Sequence, residues 1–157
     1  MAELATTYTW LKSIHVLAAV IWVGGACTLQ VLAILANRST EPGELAAFAR
    51  NASWVGERLF VPASLVLVVF GAWTVHEGGW SYSQTWLWLG VLVFAGSFLV
   101  GAGFLGPEGK RIARAIEQGG PGSPEARMRI NRIFLVSRIE LLFLLLIVLD
   151  MVIKPGS

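Results

Sequence analysis

The sequence predicts an all-α integral membrane protein, a four-helix bundle with up-down-up-down connections. Two observations carry the class: 55% of its 157 residues are apolar and only 14% are charged. A soluble domain usually carries about 25% charge. The third observation is the spacing of the apolar residues, which fall into four runs near the length that crosses a bilayer. Seven Trp and seventeen Gly fit the same class, because membrane helices place Trp at their ends and Gly where backbones touch. A disordered chain or an ordinary soluble domain is excluded, and 1–157 reads as one transmembrane domain.

The first span covers about 8–36 and is broken only by Lys12, His15 and mildly polar residues. Its length predicts a retained span; no basic leader or small-residue cleavage site precedes it. The second, third and fourth spans cover about 59–75, 86–105 and 133–153. At a rise of ~1.5 Å per residue each can cross, the second only just. Pro62 falls in the first turn of its span, where a missing N–H does little harm.

Between the first two spans, Ser39-Thr40-Glu41-Pro42-Gly43-Glu44 is a helix-start signal. Leu45, Phe48, Ala49, Ala52 and Val55 follow at helical spacing. They predict a short amphipathic helix lying in the membrane interface. Between spans three and four, Pro107 is expected to end the helix and Gly119-Gly120-Pro121-Gly122 to turn the chain.

Orientation follows from the basic residues. Loop one carries Arg38, Arg50 and Arg58; loop three carries Lys110, Arg111, Arg114, Arg127, Arg129 and Arg132. The loop at 76–85 has neither Lys nor Arg. The positive-inside rule then puts loops one and three in the cytoplasm and both termini outside, in a prokaryotic inner (plasma) membrane. Tyr8, Trp10, Trp73, Trp80, Tyr82, Trp86 and Trp88 gather at the opposite interface. Glu108, Glu117 and Glu125 interrupt the basic loop, so lipid headgroups rather than nucleic acid are its expected partner.

Ionisable groups within spans are costly and each needs a reason. Lys12, His15, Ala19, Trp22, Ala26, Gln30 and Ala33 share one helical face, a polar and small stripe that turns to the bundle interior. Lys12 reads as a snorkelling anchor. His15 reads as a hydrogen-bonded interior histidine or as a ligand to metal or haem. His76 closes span two and Asp150 lies near the end of span four, so His15, His76 and Asp150 share one leaflet. Two histidines and a carboxylate suffice for a divalent transition metal, and two histidines for axial ligation of haem. The plainer readings are a solvated His76 and an Asp150 paired with Lys154 one turn on. Glu140 is expected to turn inward and meet Arg58 in a structural ion pair, with a proton or ion relay as the sharper alternative. Arg138, on the opposite face, snorkels.

Span three has no ionisable residue; Ser97-x-x-x-Gly101 and Ala102-x-x-x-Gly106 let helices approach closely, within one chain or in a homo-oligomer. Cys27 is the single cysteine, which excludes an internal disulfide and a cysteine metal cluster. No nucleophile–base pair or phosphate-cradling glycine loop stands at a recognisable spacing, so no reaction is assigned.

The opening helix, Trp10-Leu-Lys-Ser-Ile-His15-Val-Leu-Ala-Ala-Val-Ile-Trp22-Val-Gly-Gly25, resembles the first helices of the CopD-type copper-resistance and HemJ-type protoporphyrinogen oxidase superfamily. The ending, Asp150-Met-Val-Ile-Lys-Pro155, resembles an uncharacterised branch of it, predicted integral membrane proteins known only as a domain of unknown function. The resemblance implies a four-helix bundle with a functional histidine that falls on His15. The HemJ type also uses a lysine on its third helix, which span three lacks. The CopD type implies copper handling, but the methionines are only Met1, Met128 and Met151. The expected function is therefore a haem- or metal-binding redox-accessory protein. Its cofactor would be haem b or a transition metal such as copper, held by His15 and His76, with Asp150 added for a metal. The alternatives need no cofactor: a structural or partner-binding subunit, or a small oligomeric transporter.

Overall fold

In a computed structural model, residues 2–41 and 43–155 are described, with side chains from residue 7 onward. Met1 and Pro42 of the sequence reading lie outside the described residues. Six α-helices follow one another: α1 (Ala2–Arg38), α2 (Glu44–Val55), α3 (Val61–Glu77), α4 (Thr85–Val100), α5 (Gly106–Gly119) and α6 (Pro124–Ile153). Two wider turns of π-helix join some of them, π1 (Gly56–Phe60) between α2 and α3, and π2 (Gly101–Leu105) between α4 and α5. No strand occurs among the described residues.

The π turns correct the expectation that Pro107 stops a helix. Glu44–Glu77 and Thr85–Gly119 are each one continuous helical rod. A proline inside an α-helix lacks a donor and its ring strikes the carbonyl four residues back. Here the turn ahead of each proline is widened instead. The Val61 N–H bonds the Gly56 carbonyl just before Pro62. The Gly106 N–H bonds the Gly101 carbonyl just before Pro107. The two prolines stand at the same spacing from their glycines, and the two π turns pack side by side.

Three helices are long and apolar enough to cross a membrane: Thr7–Arg38, Glu44–Glu77 and Thr85–Gly119. α6 is long but carries Arg138, Glu140 and Asp150 in its apolar part. Its flanks Leu142, Leu145 and Val148 are nonetheless exposed, as are Leu92 and Leu99 of α4. The interior mixes small and polar residues, Ala18, Ala63, Ser64 and Ser97, with a few large ones, Trp22, Trp86 and Leu144. An apolar outside with small residues within is the packing suited to lipid. α3 lies on α1, α1 touches α6, and α6 lies on α4. Trp22 of α1 closes the middle, meeting Phe94 of α4 edge-on at 4.7 Å between centroids.

At the basic end, α2, α5 and the start of α6 form a second small core around Ala46, Ala49, Ile112, Ile116 and Ile130. The apolar face expected to lie in the interface thus has a protein partner in α5. The helices approach closely because Gly109 has no side chain; a Cβ there would stand 2.6 Å from the Ser53 hydroxyl. The chain turns at Gly120, whose φ of 80° favours glycine. Ser123 then accepts a hydrogen bond from the Ala126 N–H and caps α6 ahead of Pro124.

Candidate functional site

At the aromatic end, His15 is half-buried on α1. Its Nδ1–H donates to the Leu67 carbonyl of α3 at 2.8 Å. The ring fits because position 71 is glycine: a Cβ there would stand 2.9 Å from the imidazole. Because a carbonyl only accepts, Nδ1 carries a proton, and in the neutral ring Nε2 is the atom with the lone pair. His76, by contrast, is exposed at the end of α3.

The expected Asp150–Lys154 ion pair does not form. Lys154 leaves the helix at φ 49°, since a residue before proline is disfavoured in the helical region. Its ammonium instead lies 3.8 Å from the centroid of Trp80 and 5.3 Å from that of Trp86. Asp150 Oδ2 is buried with no hydrogen-bond partner among the described residues. No group of three or more His, Cys, Asp and Glu among the described residues could hold a metal ion. His15, His76 and Asp150 are therefore not brought together as one ligand set.

The second polar cluster is on the other side of Trp22. The Ser97 hydroxyl of α4 donates to Glu140 of α6 at 2.8 Å. The Ser137 hydroxyl of α6 donates to Gln30 Oε1 of α1 at 2.8 Å. Gln30 Nε2 is buried and has no partner among the described residues. The predicted Arg58–Glu140 pair is absent: Arg58 is exposed at π1, and no ion pair among the described residues includes Glu140.

These groups line a cavity of about 500 Å³. Trp22, Phe60 and Phe98 supply apolar wall, and both π turns border it. Glu140 comes close to π2, where a Cβ on Gly101 would stand 3.8 Å from its Oε1. Toward the basic end the wall includes Glu57 and Lys110, paired with each other, and Arg111, which bonds Glu108 at 3.2 Å. A larger depression of about 830 Å³ lies among the connections at the basic end, beside the Arg50–Glu117 ion pair. Its walls hold no buried polar atom left unpaired among the described residues. The cavity beside Trp22 is the stronger site on that ground.

Sequence reading put Gln30 on the inward stripe without a role and missed Ser137, whose signal was its place one turn before Glu140. Of the small residues in span three, Gly90 packs against Met151 and Gly101 faces Glu140, both within the chain. Gly96 and Gly103 meet nothing within 4 Å.

A family of predicted integral membrane proteins, DUF2269, matches residues 9–155, and the chain belongs to that family. No curated protein and no solved structure matches it.

Proposed function

We propose that this member of an integral membrane family is a four-span binding protein, a receptor or carrier, whose internal cavity takes a small molecule with a hydrogen-bonding end. The single observation that carries the reading is Gln30 Nε2, a buried donor on the wall it shares with Glu140 and without a partner among the described residues. A buried unpaired donor costs about 1–3 kcal/mol, which an occupant accepting that hydrogen bond relieves. The π turns agree, because such bulges cluster at functional sites and irregular backbone at membrane depth belongs beside a cavity. α6 is the fourth span, with Arg138 turned outward over Phe134 at 5.8 Å. The basic loops lie in the cytoplasm of a prokaryote and the termini outside. Native mass spectrometry of protein extracted from its own membranes tests the reading. A small-molecule adduct is expected on the wild type and not on Ala26→Phe, which fills the cavity. An adduct equally abundant on both proteins overturns it.

A second reading keeps His15 as a ligand to haem b or copper, without the His76 and Asp150 partners that the fold does not bring to it. One observation favours it: a histidine whose Nδ1–H is held by a carbonyl presents Nε2 in the manner of metal-ligating histidines. Spectra without a Soret band, together with no stoichiometric copper, iron or zinc, remove it. Gly96 and Gly103 leave a close-approach face on α4 and π2 for a second copy, which cross-linking in the membrane tests.

A further inference from the structure

We infer that the occupant of the cavity is a small organic cation, an alkyl- or arylammonium whose N–H groups face Glu140 and the backbone of the two π turns. This rests on the cavity reading above and names its ligand class. Three independent features of the wall point the same way.

First, among the described residues no ion pair includes Glu140. Glu140 accepts one hydrogen bond, from Ser97, and the cations around it are engaged or turned away. Lys110 is held by Glu57, and Arg111 by Glu108. Arg138 lies over Phe134 and Arg58 is exposed, while Arg114, also exposed, borders the cavity on α5 toward the basic end. A carboxylate at membrane depth without a countercharge is costly, and a cationic occupant supplies the missing charge.

Second, the prolines strip donors from the backbone at the same place. The Val61 N–H is given to Gly56, and Pro62 has none to give. The Glu57 carbonyl thereby loses both the donor four residues on and the donor five residues on. The Gly106 N–H is given to Gly101, and Pro107 has none, so the Ala102 carbonyl is deprived in the same way. Glu57 and Ala102 both lie on the cavity wall. Carbonyls freed at breaks in membrane helices are the groups that transporters use to hold cations.

Third, Trp22, Phe60 and Phe98 line the remainder, and aromatic faces attract ammonium groups while accepting an apolar body. Gln30 Nε2, a buried donor without a partner among the described residues, suits an oxygen on the same molecule, such as the hydroxyl of an amino alcohol.

Calorimetric titration of the full chain in lipid nanodiscs with hexylammonium, hexanol and hexanoate tests the assignment. Hexylammonium is expected to bind, hexanol and hexanoate about tenfold or more weakly, and Glu140→Gln to weaken hexylammonium by about tenfold or more. Hexanol or hexanoate binding as tightly as hexylammonium overturns the cation while sparing the cavity. The comparison of probes needs only the wild type, so it stands even where Glu140→Gln folds poorly. Hexylammonium binding unchanged in a folded Glu140→Gln protein also overturns the assignment. Failure of all three probes overturns the cavity reading with it.

Discussion

Arg129 of α6 donates to the carboxylate of Glu108 on α5 at 2.8 Å, and Glu108 is only 1% exposed. Burial alone pushes that carboxyl up, but hydrogen bonds and positive charge from Arg129 and Arg111 outweigh it and hold Glu108 below its ordinary range. A carboxyl lowered on folding stabilises the fold above its unfolded pKa, and that stability is lost as pH falls through the folded value. The protection of the α5 amides, corrected for the intrinsic pH dependence of exchange, is therefore expected to fall on acidification through and below the ordinary glutamate range. Arg129→Met leaves a buried charge short of its main donor and should destabilise α5 locally. Protection factors in 106–119 that are the same at neutral and acid pH, and in the variant, would contradict both.

Gln30→Leu removes the orphaned donor. Ser137 loses an acceptor but keeps its bond to the Phe134 carbonyl at 3.3 Å. The ligand-free protein is expected to gain about 1 kcal/mol or more in thermal unfolding, while losing the cavity adduct. A destabilised variant that keeps the adduct would show that Nε2 already has a partner.

Gly71→Ala drives a methyl group against the His15 ring. The imidazole must shift off the Leu67 carbonyl, at an expected cost of about 1–3 kcal/mol. Gly24→Ala, which meets nothing within 4 Å, is the control and should be neutral or slightly stabilising. Equal melting temperatures for the two variants would remove the packing argument.

The apolar runs that built the membrane part were visible because each is long, and the second and third hold no ionisable residue. The basic end was harder to read. Pro107 looks like a stop under the rule that counts a lost hydrogen bond, and only the wider turn from Gly101 makes room for it. Ile112, Ala113 and Ile116 do stand at helical spacing, but polar neighbours hide them in a loop composition. Partner choice failed for a different reason. Glu140 and Arg58 share a depth, but whether they meet depends on how each helix is rotated, which sequence pattern alone does not set. The Asp150–Lys154 pairing assumed a helix through Lys154, where Pro155 works against one.

Pro62→Ala and Pro107→Ala return the missing N–H groups. Each π turn can then relax toward an α-helix that gives the Glu57 and Ala102 carbonyls a donor. Both variants are expected to fold with unchanged or higher melting temperature and to bind hexylammonium less tightly. Retention of full binding in the double variant would show that the freed carbonyls take no part.

Lys154 stands over Trp80 and Trp86, themselves edge-on at 5.7 Å. This ties the end of α6 to the start of α4 and the turn before it. Lys154→Met is expected to cost about 0.5–2 kcal/mol and to change the tryptophan emission, while Lys154→Arg retains most of both. Asp150 has no share in that contact, so a double-mutant cycle of Asp150→Asn with Lys154→Met should give a coupling within about 0.5 kcal/mol of zero. A coupling well above that would restore the ion pair that sequence spacing suggested. A zero coupling leaves Asp150 a buried, unpartnered carboxylate at the aromatic end, on the same helix as Glu140 but beyond Trp22. Asp150→Asn should then leave hexylammonium binding at the cavity unchanged.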